Sequence, residues 1–509
     1  MLNADIILEN VRVITMEPSC PEASAVAVRD GCILATGDRE TIRSFAGGST
    51  KFIDCQGKVV APGFIDVHCH LFSFIRKLLS LDFGPDTVHS IADIKAAVKK
   101  RAESAPPGAW ISGTGLSDYY LAEKRLPTRR ELDEAAPHHS VVLAHVGLHQ
   151  AILNSLALSL SGIKKNSPVP DGALVEKDGT GEPTGRIHEL LGYIREQVMP
   201  PLSEQELNEG IALVNRHYLS QGITSIGEAT VVNNLERFQI LRRFGDAGIL
   251  VPRVYMMFGM EFLDGFGEAG LYFGSGDDSL KLGGVKIIVT DSTGKVYPEQ
   301  EQLNEMVIRA ERAGYQVAIH AVQENSILAA ITALKHTSRR ELRHRIEHGI
   351  VCSPEILTKL RHLKPLVVTQ PPFLYYGGDR FLAIAPEKHK PWLYRFKSLY
   401  DSLTLAGSSD SPIAGDNPLM GIYAAMSRKT QGGQVISPGE AISAAEGLKM
   451  YTVNAATASF DENIKGSLVP GKLADMVLLS GNPLTASPDE LKEIKVLMTI
   501  ANGKVVWEA

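Results

Sequence analysis

Ala61-Pro62-Gly63-Phe64-Ile65-Asp66-Val67-His68-Cys69-His70 reads as a short buried strand that leaves a Pro-Gly turn and ends in two histidines. Side chains alternate along a strand, so His68 and His70 project together while Cys69 points the other way. Two imidazoles on one face can hold one divalent metal ion. A bare His-x-His is equally compatible with two hydrogen-bonded residues at a strand end, so the rest of the chain has to decide.

Outward from this stretch, apolar strand-like runs alternate with helical segments. The runs are Thr224–Glu228, Arg253–Met257, Val285–Val289, Gln316–His320, Arg343–His348, Leu366–Gln370 and Leu403–Gly407, the last continuing to Asp410. The intervening segments have helical periodicity, for example Gln302 to Ala313 before Gly314. With the first strand this makes eight β/α units, the pattern of an α/β fold of the (β/α)8 TIM barrel type, with chemistry at the C-terminal strand ends. The interval from Leu71 to Pro201 is too long for a simple crossover and is expected to carry structure of its own.

The two ends of the chain read differently from the middle. Ile6–Thr15, Ala25–Val28 and Cys32–Thr36 near the start, and Ala474–Leu479, Val496–Ile500 and Lys504–Trp507 near the finish, are β-type runs separated by Asp30-Gly31, Gly37-Asp38 and Asn502-Gly503 turns. The expected organisation is a composite β-sandwich from residues 1–60 and 466–509, a barrel over 61–465, and an inserted subdomain over 71–203 at the active-site mouth. Tyr119-Tyr120 and Pro371-Pro372-Phe373-Leu374-Tyr375-Tyr376 suit either an aromatic pocket or ordinary packing, and Gly377-Gly378-Asp379 reads as a flexible loop of the kind that makes a lid.

Bulk properties exclude several classes. The chain has 509 residues, 44% of them hydrophobic and 22% charged, as in an ordinary globular protein. A net charge of −6 gives no case for nucleic acid. The five cysteines contain no Cys-x-x-Cys pair, which suits a reducing compartment. The start, Met1-Leu2-Asn3-Ala4-Asp5, lacks the basic and apolar regions of a secretory signal, and no apolar run approaches the ~18 residues of a membrane span. A cytoplasmic enzyme acting on a small molecule, with no membrane partner and with a homodimer as the expected assembly, fits these properties.

The chemistry emerges when the strand ends are read in order. His68 and His70 close the first strand, Lys286 lies in the fourth, His320 ends the fifth, His348 the sixth, and Asp410 follows the eighth before Ser411-Pro412. Each alone is weak, since a strand-end His or an Asp before Ser-Pro has ordinary uses. Six in strand order point to one metal centre. A lysine inside a barrel has to be paired, neutral or modified. Its neutral amine can add carbon dioxide to give a carbamate that bridges metals as a carboxylate does, whereas a lysine paired with a nearby carboxylate is the simpler alternative. Four histidines, a carbamate on Lys286 and an aspartate suit two Zn-type ions, with one ion also possible. Such ions acidify a water and polarise a carbonyl, and Asp410 is placed to act as general base.

At these residues the sequence resembles the amidohydrolase superfamily, and within it the YtcJ-like, amidohydrolase-3 branch that includes N-substituted formamide deformylases. The resemblance rests on Pro62–His70, Leu126-Pro127-Thr128-Arg129, Asn154–Leu158, Pro183-Thr184-Gly185, Gly284–Ile287, His344–His348, Gln370-Pro371, Asp410–Pro412 and Gly471–Asp475. It implies a barrel with a terminal β-domain, a divalent metal centre, and hydrolysis of an amide, N-formyl or N-acyl type C–N bond. It also marks His149, Glu189 and Gln370 as substrate-pocket residues. The chain departs from the family at Gly113–Asp118, which lacks a Trp, at Asp291-Ser292-Thr293 in place of Asp-Gly-Ser, and at His320–Glu324. These departures bear on the substrate. Two other readings stay open: a mononuclear-metal deaminase of an aminated heterocycle, which generally lacks the bridging lysine, and a metal-free binding protein, which would be expected to have lost ligand residues.

Overall fold

The computed structural model describes residues 3–291 and 294–509. Met1, Leu2 and the family departure at Ser292-Thr293 lie outside the described residues. The chain divides into two compact units, Met1–Leu71 with Val214–Val289 and Glu299–Ala509, and Phe72–Leu213 with Thr290–Pro298.

The first unit holds eight parallel strands: β1 (Phe64–Cys69), β2 (Ile223–Glu228), β3 (Arg253–Gly259), β4 (Leu280–Ile288), β5 (Val317–Ala321), β6 (Arg345–His348), β7 (Leu366–Thr369) and β8 (Leu405–Gly407). Each pairs with its neighbour in sequence order from β1 to β8. Every residue of β1, β2 and β3 is buried, which explains the unbroken apolar runs: both faces of a parallel sheet are covered. The register aligns Ile288 with His320 and Ala321 with His348, so the strand ends carrying these side chains lie level.

No ladder joins β8 to β1 among the described residues. The seam is closed by individual bonds: Asp410 N–H to His68 O at 2.8 Å and His70 N–H to Ser411 O at 2.7 Å. Asp66 adds two more, accepting the Ser409 amide at 3.0 Å and its hydroxyl at 2.5 Å. Gly63, at the entry to β1, has no room for a side chain, because a Cβ there would collide with Thr224.

Helices cover the barrel. Gln300–Arg312 buries Leu303, Val307 and Ala310 on one stripe. Pro354–Leu363 starts with Ser353 capping the Ile356 amide and buries Ile356, Leu357, Leu360 and Leu363. Each such leucine is worth about 1.5–3 kcal/mol of apolar burial. The sixth strand begins at Arg345 rather than Arg343, because Arg343 closes a 3-10 turn in the left-handed region with φ +46°.

One expectation is overturned. Gly377-Gly378-Asp379 is not a loop: Pro371–Ile384 is a single helix that runs through it. Pro371 and Pro372 start that helix where prolines cost nothing, in the first turn with no amide partner to lose. Gly378 is there for space, since a Cβ would come within 2.5 Å of Thr430 Cγ2. Asp379 is anchored by Thr430 Oγ1 at 2.7 Å and the Gly432 amide at 2.9 Å.

The same unit carries a β-domain made by both chain ends. Its path of paired strands runs Lys504–Glu508, Val496–Ala501, Met476–Leu479, Lys51–Pro62, Ile6–Ile14, Ala25–Arg29, Cys32–Gly37. Val28 and Ile500 belong to strands far apart on this path yet share one apolar core with Leu8 and Met476, so the sheet curls over on itself. Arg253 of β3 ties barrel to sheet through a bidentate pair with buried Asp475, at 2.7 and 3.2 Å.

The second unit is built on a six-stranded sheet in the order Leu174–Lys177, Pro183–His188, Gln150–Leu153, Ser140–His145, Trp110–Leu116, Leu81–Asp82. Capping boxes start its helices Ile91–Ser104 (Ser90 with Asp93) and Arg129–Ala135 (Thr128 with Glu131). Among the described residues no helix is long and apolar enough to cross a membrane.

Candidate metal centre

The period of two in β1 places Asp66, His68 and His70 on one face. His68 is fully buried and its Nε2 lies 3.5 Å from Asp410 Oδ1 and 3.0 Å from Lys286 Nζ. His70 Nε2 is 3.0 Å from the same Asp410 oxygen. His348 contributes from the end of β6, its ring centroid 5.0 Å from that of His68 and 4.4 Å from that of His320. One ligand atom from each of His68, His348 and Asp410 falls within 4.8 Å of the others. The structure thus brings His68, His70, Lys286, His320, His348 and Asp410 together at one end of the barrel.

Two of these residues are held in backbone that costs energy. His348 has φ +72° and Asp410 φ +58°, a region that L-residues enter at roughly 1–2 kcal/mol. At His348 the turn breaks the strand alternation, so that adjacent Glu347 and His348 both reach His68.

Each of three histidines is oriented by its far nitrogen. His68 Nδ1 meets Glu347 Oε2 at 2.5 Å, His70 Nδ1 meets Thr230 Oγ1 at 2.9 Å, and His348 Nδ1 meets Gln370 Oε1 at 2.7 Å. The Glu347 carboxylate and the Gln370 amide oxygen only accept, so they fix His68 and His348 with the proton on Nδ1 and leave Nε2 as a donor of electrons, while the Thr230 hydroxyl, which can donate or accept, holds the His70 ring in place. His348 Nε2 is buried and has no hydrogen-bond partner among the described residues. Buried polar atoms are seldom left so. The His68 and His348 Nε2 lone pairs, with His70 and a buried carboxylate beside them, form a donor set that fits a divalent cation.

The electrostatics agree. Burial, reinforced by Lys286, holds His68 well below its ordinary range, and burial with His68 and Lys286 does the same for His348, so both are neutral and able to ligate at pH 7. Burial pushes the Lys286 amine down to about 8, although Glu347 and Asp410 pull the other way. Burial would raise Asp410, but the imidazoles of His70 and His68 and the Lys286 amine outweigh it and hold the carboxyl below its usual value. Asp66 is pushed up to about 7 by burial despite its bonds to Ser409.

The supporting residues were less visible in the sequence. Glu347 holds His68 and is itself gripped by Arg345, at 2.7 and 2.8 Å, with both side chains fully buried. The alternation of β6 was the available signal, since Arg345 and Glu347 share a face. Glu228, at the end of β2, accepts amides from Leu71 and Thr230 and so sets the turn that presents His70. Thr230 had no signal of any kind. Gln370 orients His348 and donates to Ser408 Oγ at 2.9 Å.

In the second unit, His149 Nδ1 pairs with Glu189 Oε2 at 3.0 Å, and Thr290 Oγ1 donates to Glu189 Oε1 at 3.3 Å. Glu189 has φ +56°.

A model of the amidohydrolase family matches residues 51–507, nearly the whole chain. The chain belongs to the amidohydrolase family. The amidohydrolase is 27% identical to an N-substituted formamide deformylase of Arthrobacter pascens, over 99% of this chain and 98% of the relative. It is 30% identical to the protein LONG AFTER FAR-RED 3 of Arabidopsis thaliana, over 99% and 92%. A solved metal-dependent hydrolase from Pyrococcus horikoshii superposes with a TM-score of 0.76 at 25% identity, covering 95% of this chain and 99% of that one. The amidohydrolase is accordingly a metal-dependent hydrolase acting on C–N bonds.

Proposed function

We propose that this amidohydrolase cleaves an amide, N-formyl or N-acyl bond of a small molecule, with Asp410 as general base. The observation that carries the reading is the convergence of His68 Nε2 and His70 Nε2 on Asp410 Oδ1, with a ligand atom of His348 within 4.8 Å of His68 and Asp410 and with Lys286 Nζ 3.0 Å from His68 Nε2. His68, His70, His348 and Asp410 would hold a divalent ion, zinc by donor type, and His320 with a carboxylated Lys286 would complete a two-ion site. Bound there, the metal supplies a more acidic water and a polarised carbonyl.

The residues do the rest. Asp410, ionised among imidazoles, accepts the proton of the attacking water and returns it to the nitrogen of the departing amine. The neutral tautomers of His68 and His348, fixed by Glu347 and Gln370, take up no proton and keep their lone pairs on the ligand side. Burial brings the Lys286 amine down to about 8, so a minor neutral fraction exists at physiological pH; that neutral amine would form an N–C bond to carbon dioxide with loss of one proton, giving a carbamate anion that could serve as a metal ligand. His149 and Glu189 are assigned to the substrate, whereas Gln370, buried with both ends of its amide engaged by His348 and Ser408, is assigned to positioning His348 rather than to the substrate contact expected from the resemblance. The deformylase relative supports an N-formyl amine as the first substrate to try. A cytoplasmic homodimer completes the proposal.

Metal per chain, measured on protein purified without chelator, tests it together with release of formate from N-substituted formamides. About two zinc-type ions, with loss of metal and activity in Lys286→Ala, is the expected result. One ion that survives Lys286→Ala, with ammonia released from aminated heterocycles, would replace this reading with a deaminase. A chain that binds no metal after reconstitution would leave a binding protein.

A further inference from the structure

At the opposite end of the barrel, where strands begin, a cavity of about 640 Å³ opens beside the first residue of β7. Its basic lining is Arg340, Arg343, His362 and Lys364, with Ser402 and Thr404 beside them and, among the described residues, no carboxylate side chain. This is against the balance of the chain, whose net charge is −6.

The cations are not equivalent. Arg343 is compensated: it pairs with Glu462 at 2.6 Å, and its guanidinium lies 3.7 Å over the Phe460 ring. Arg340 is held in place by one bond, Nη1 to Leu363 O at 2.8 Å, and has no carboxylate within ion-pair distance among the described residues. Neither has Lys364, and both side chains are exposed to the cleft. His362 lies in the last turn of helix Pro354–Leu363 and Lys364 caps it, and the free carbonyls there favour cations, which accounts for these two. It does not account for Arg340 and Arg343, which arrive from the segment before β6. The uncompensated Arg340 and Lys364, with the fixed Arg343 guanidinium and the Thr404 hydroxyl beside them, form in a cleft of ligand size a complementary site for negative charge.

We propose that this cavity is a second binding site, for a small polyanion bearing phosphate or carboxylate groups. The site is separate from the strand-end histidines and does not depend on the reaction assigned to them.

Isothermal titration of the full chain with a hexose bisphosphate and, in a second arm, with a tricarboxylate tests it and tells the two sources apart. At least one is expected to bind with Kd below about 1 mM, more weakly at about 200 mM salt than at about 20 mM. Arg340→Gln/Lys364→Gln should weaken binding at least about tenfold, the loss expected for a charge-assisted hydrogen bond. Arg340→Lys/Lys364→Arg should retain it. Circular dichroism checks the fold of both variants, whose substituted positions are exposed. Absence of binding up to about 10 mM would overturn the proposal and reduce the cations to helix-end charges. Undiminished binding in the double Gln variant would overturn it equally, because the anion would then sit elsewhere, for instance on the histidine cluster.

Discussion

Glu347→Gln isolates the support beneath the metal centre. In the wild type one carboxylate serves two cations or near-cations: Arg345 through bonds of 2.7 and 2.8 Å, and the His68 Nδ1–H at 2.5 Å. Arg345 has no exposure, and among the described residues its Nη1 already lacks a partner and its only other acceptor is Val67 O at 3.1 Å. The glutamine keeps the shape but removes the charge, leaving a buried guanidinium uncompensated. Breaking a buried pair from one side costs about 3–5 kcal/mol. Removing an acidic orienter from a ligand histidine costs about 10- to 100-fold in metal affinity. Urea unfolding of the metal-free protein reads the first quantity and zinc competition against a chelating dye the second. The double variant Arg345→Met/Glu347→Gln removes the orphaned cation as well, so it should recover most of the stability while leaving zinc affinity low. A Glu347→Gln shift below about 1 kcal/mol, or a double variant no more stable than the single one, would refute the reasoning, since the penalty is assigned to the stranded charge.

Other outcomes follow from single contacts. Asp410→Asn keeps the volume and loses the proton acceptor, so formamide hydrolysis should fall by about 10²–10⁴-fold while the far-ultraviolet dichroism is unchanged. Gly378→Ala should destabilise by about 1–3 kcal/mol through the clash with Thr430, although alanine is the better helix former; a stabilised variant would mean that the segment is not the packed helix described. Arg43 and Arg39 hold the Glu9 carboxyl down to about 2. A carboxyl depressed in the folded state stabilises above its unfolded value near 4.5 and loses that contribution as pH falls toward 2. Glu9→Gln should therefore be less stable than the wild type at pH 7, by about 1 kcal/mol given its half-exposed arginines, as read by urea unfolding, and the gap should close between pH 4.5 and 2.

The barrel was legible because its strands are buried on both faces and so read as uninterrupted apolar runs, and because the polar residues at their ends stand out against them. His68, Lys286 and His348 could be picked out on that contrast alone. What escaped was whatever depends on pairs distant in sequence. Nothing near Thr230 announces that it faces His70, and nothing near Ser409 announces that it meets Asp66. Gly377-Gly378 misled for a related reason: glycine marks either a flexible backbone or a crowded one, and only the position of Thr430 distinguishes them. Arg345 and Glu347 lay between, since period-two spacing puts them on one face but does not say that the face looks at His68.

The weaving of both chain ends into one sheet has a consequence for biosynthesis. Val60 in the strand before the barrel is registered against Leu478, and Pro62 against Met476. On a ribosome adding about 5–20 residues per second, the first strands wait roughly 20–80 s for those partners to emerge. Until then the flank of Lys51–Pro62 that will take Met476–Leu479 is an open edge, able to pair with the same strand of a neighbouring nascent chain on a polysome. Yield in cells should therefore depend on translation speed and chaperone supply more steeply than the finished molecule's stability would indicate, and a premature stop before Met476 should give an aggregating product, not a shortened enzyme.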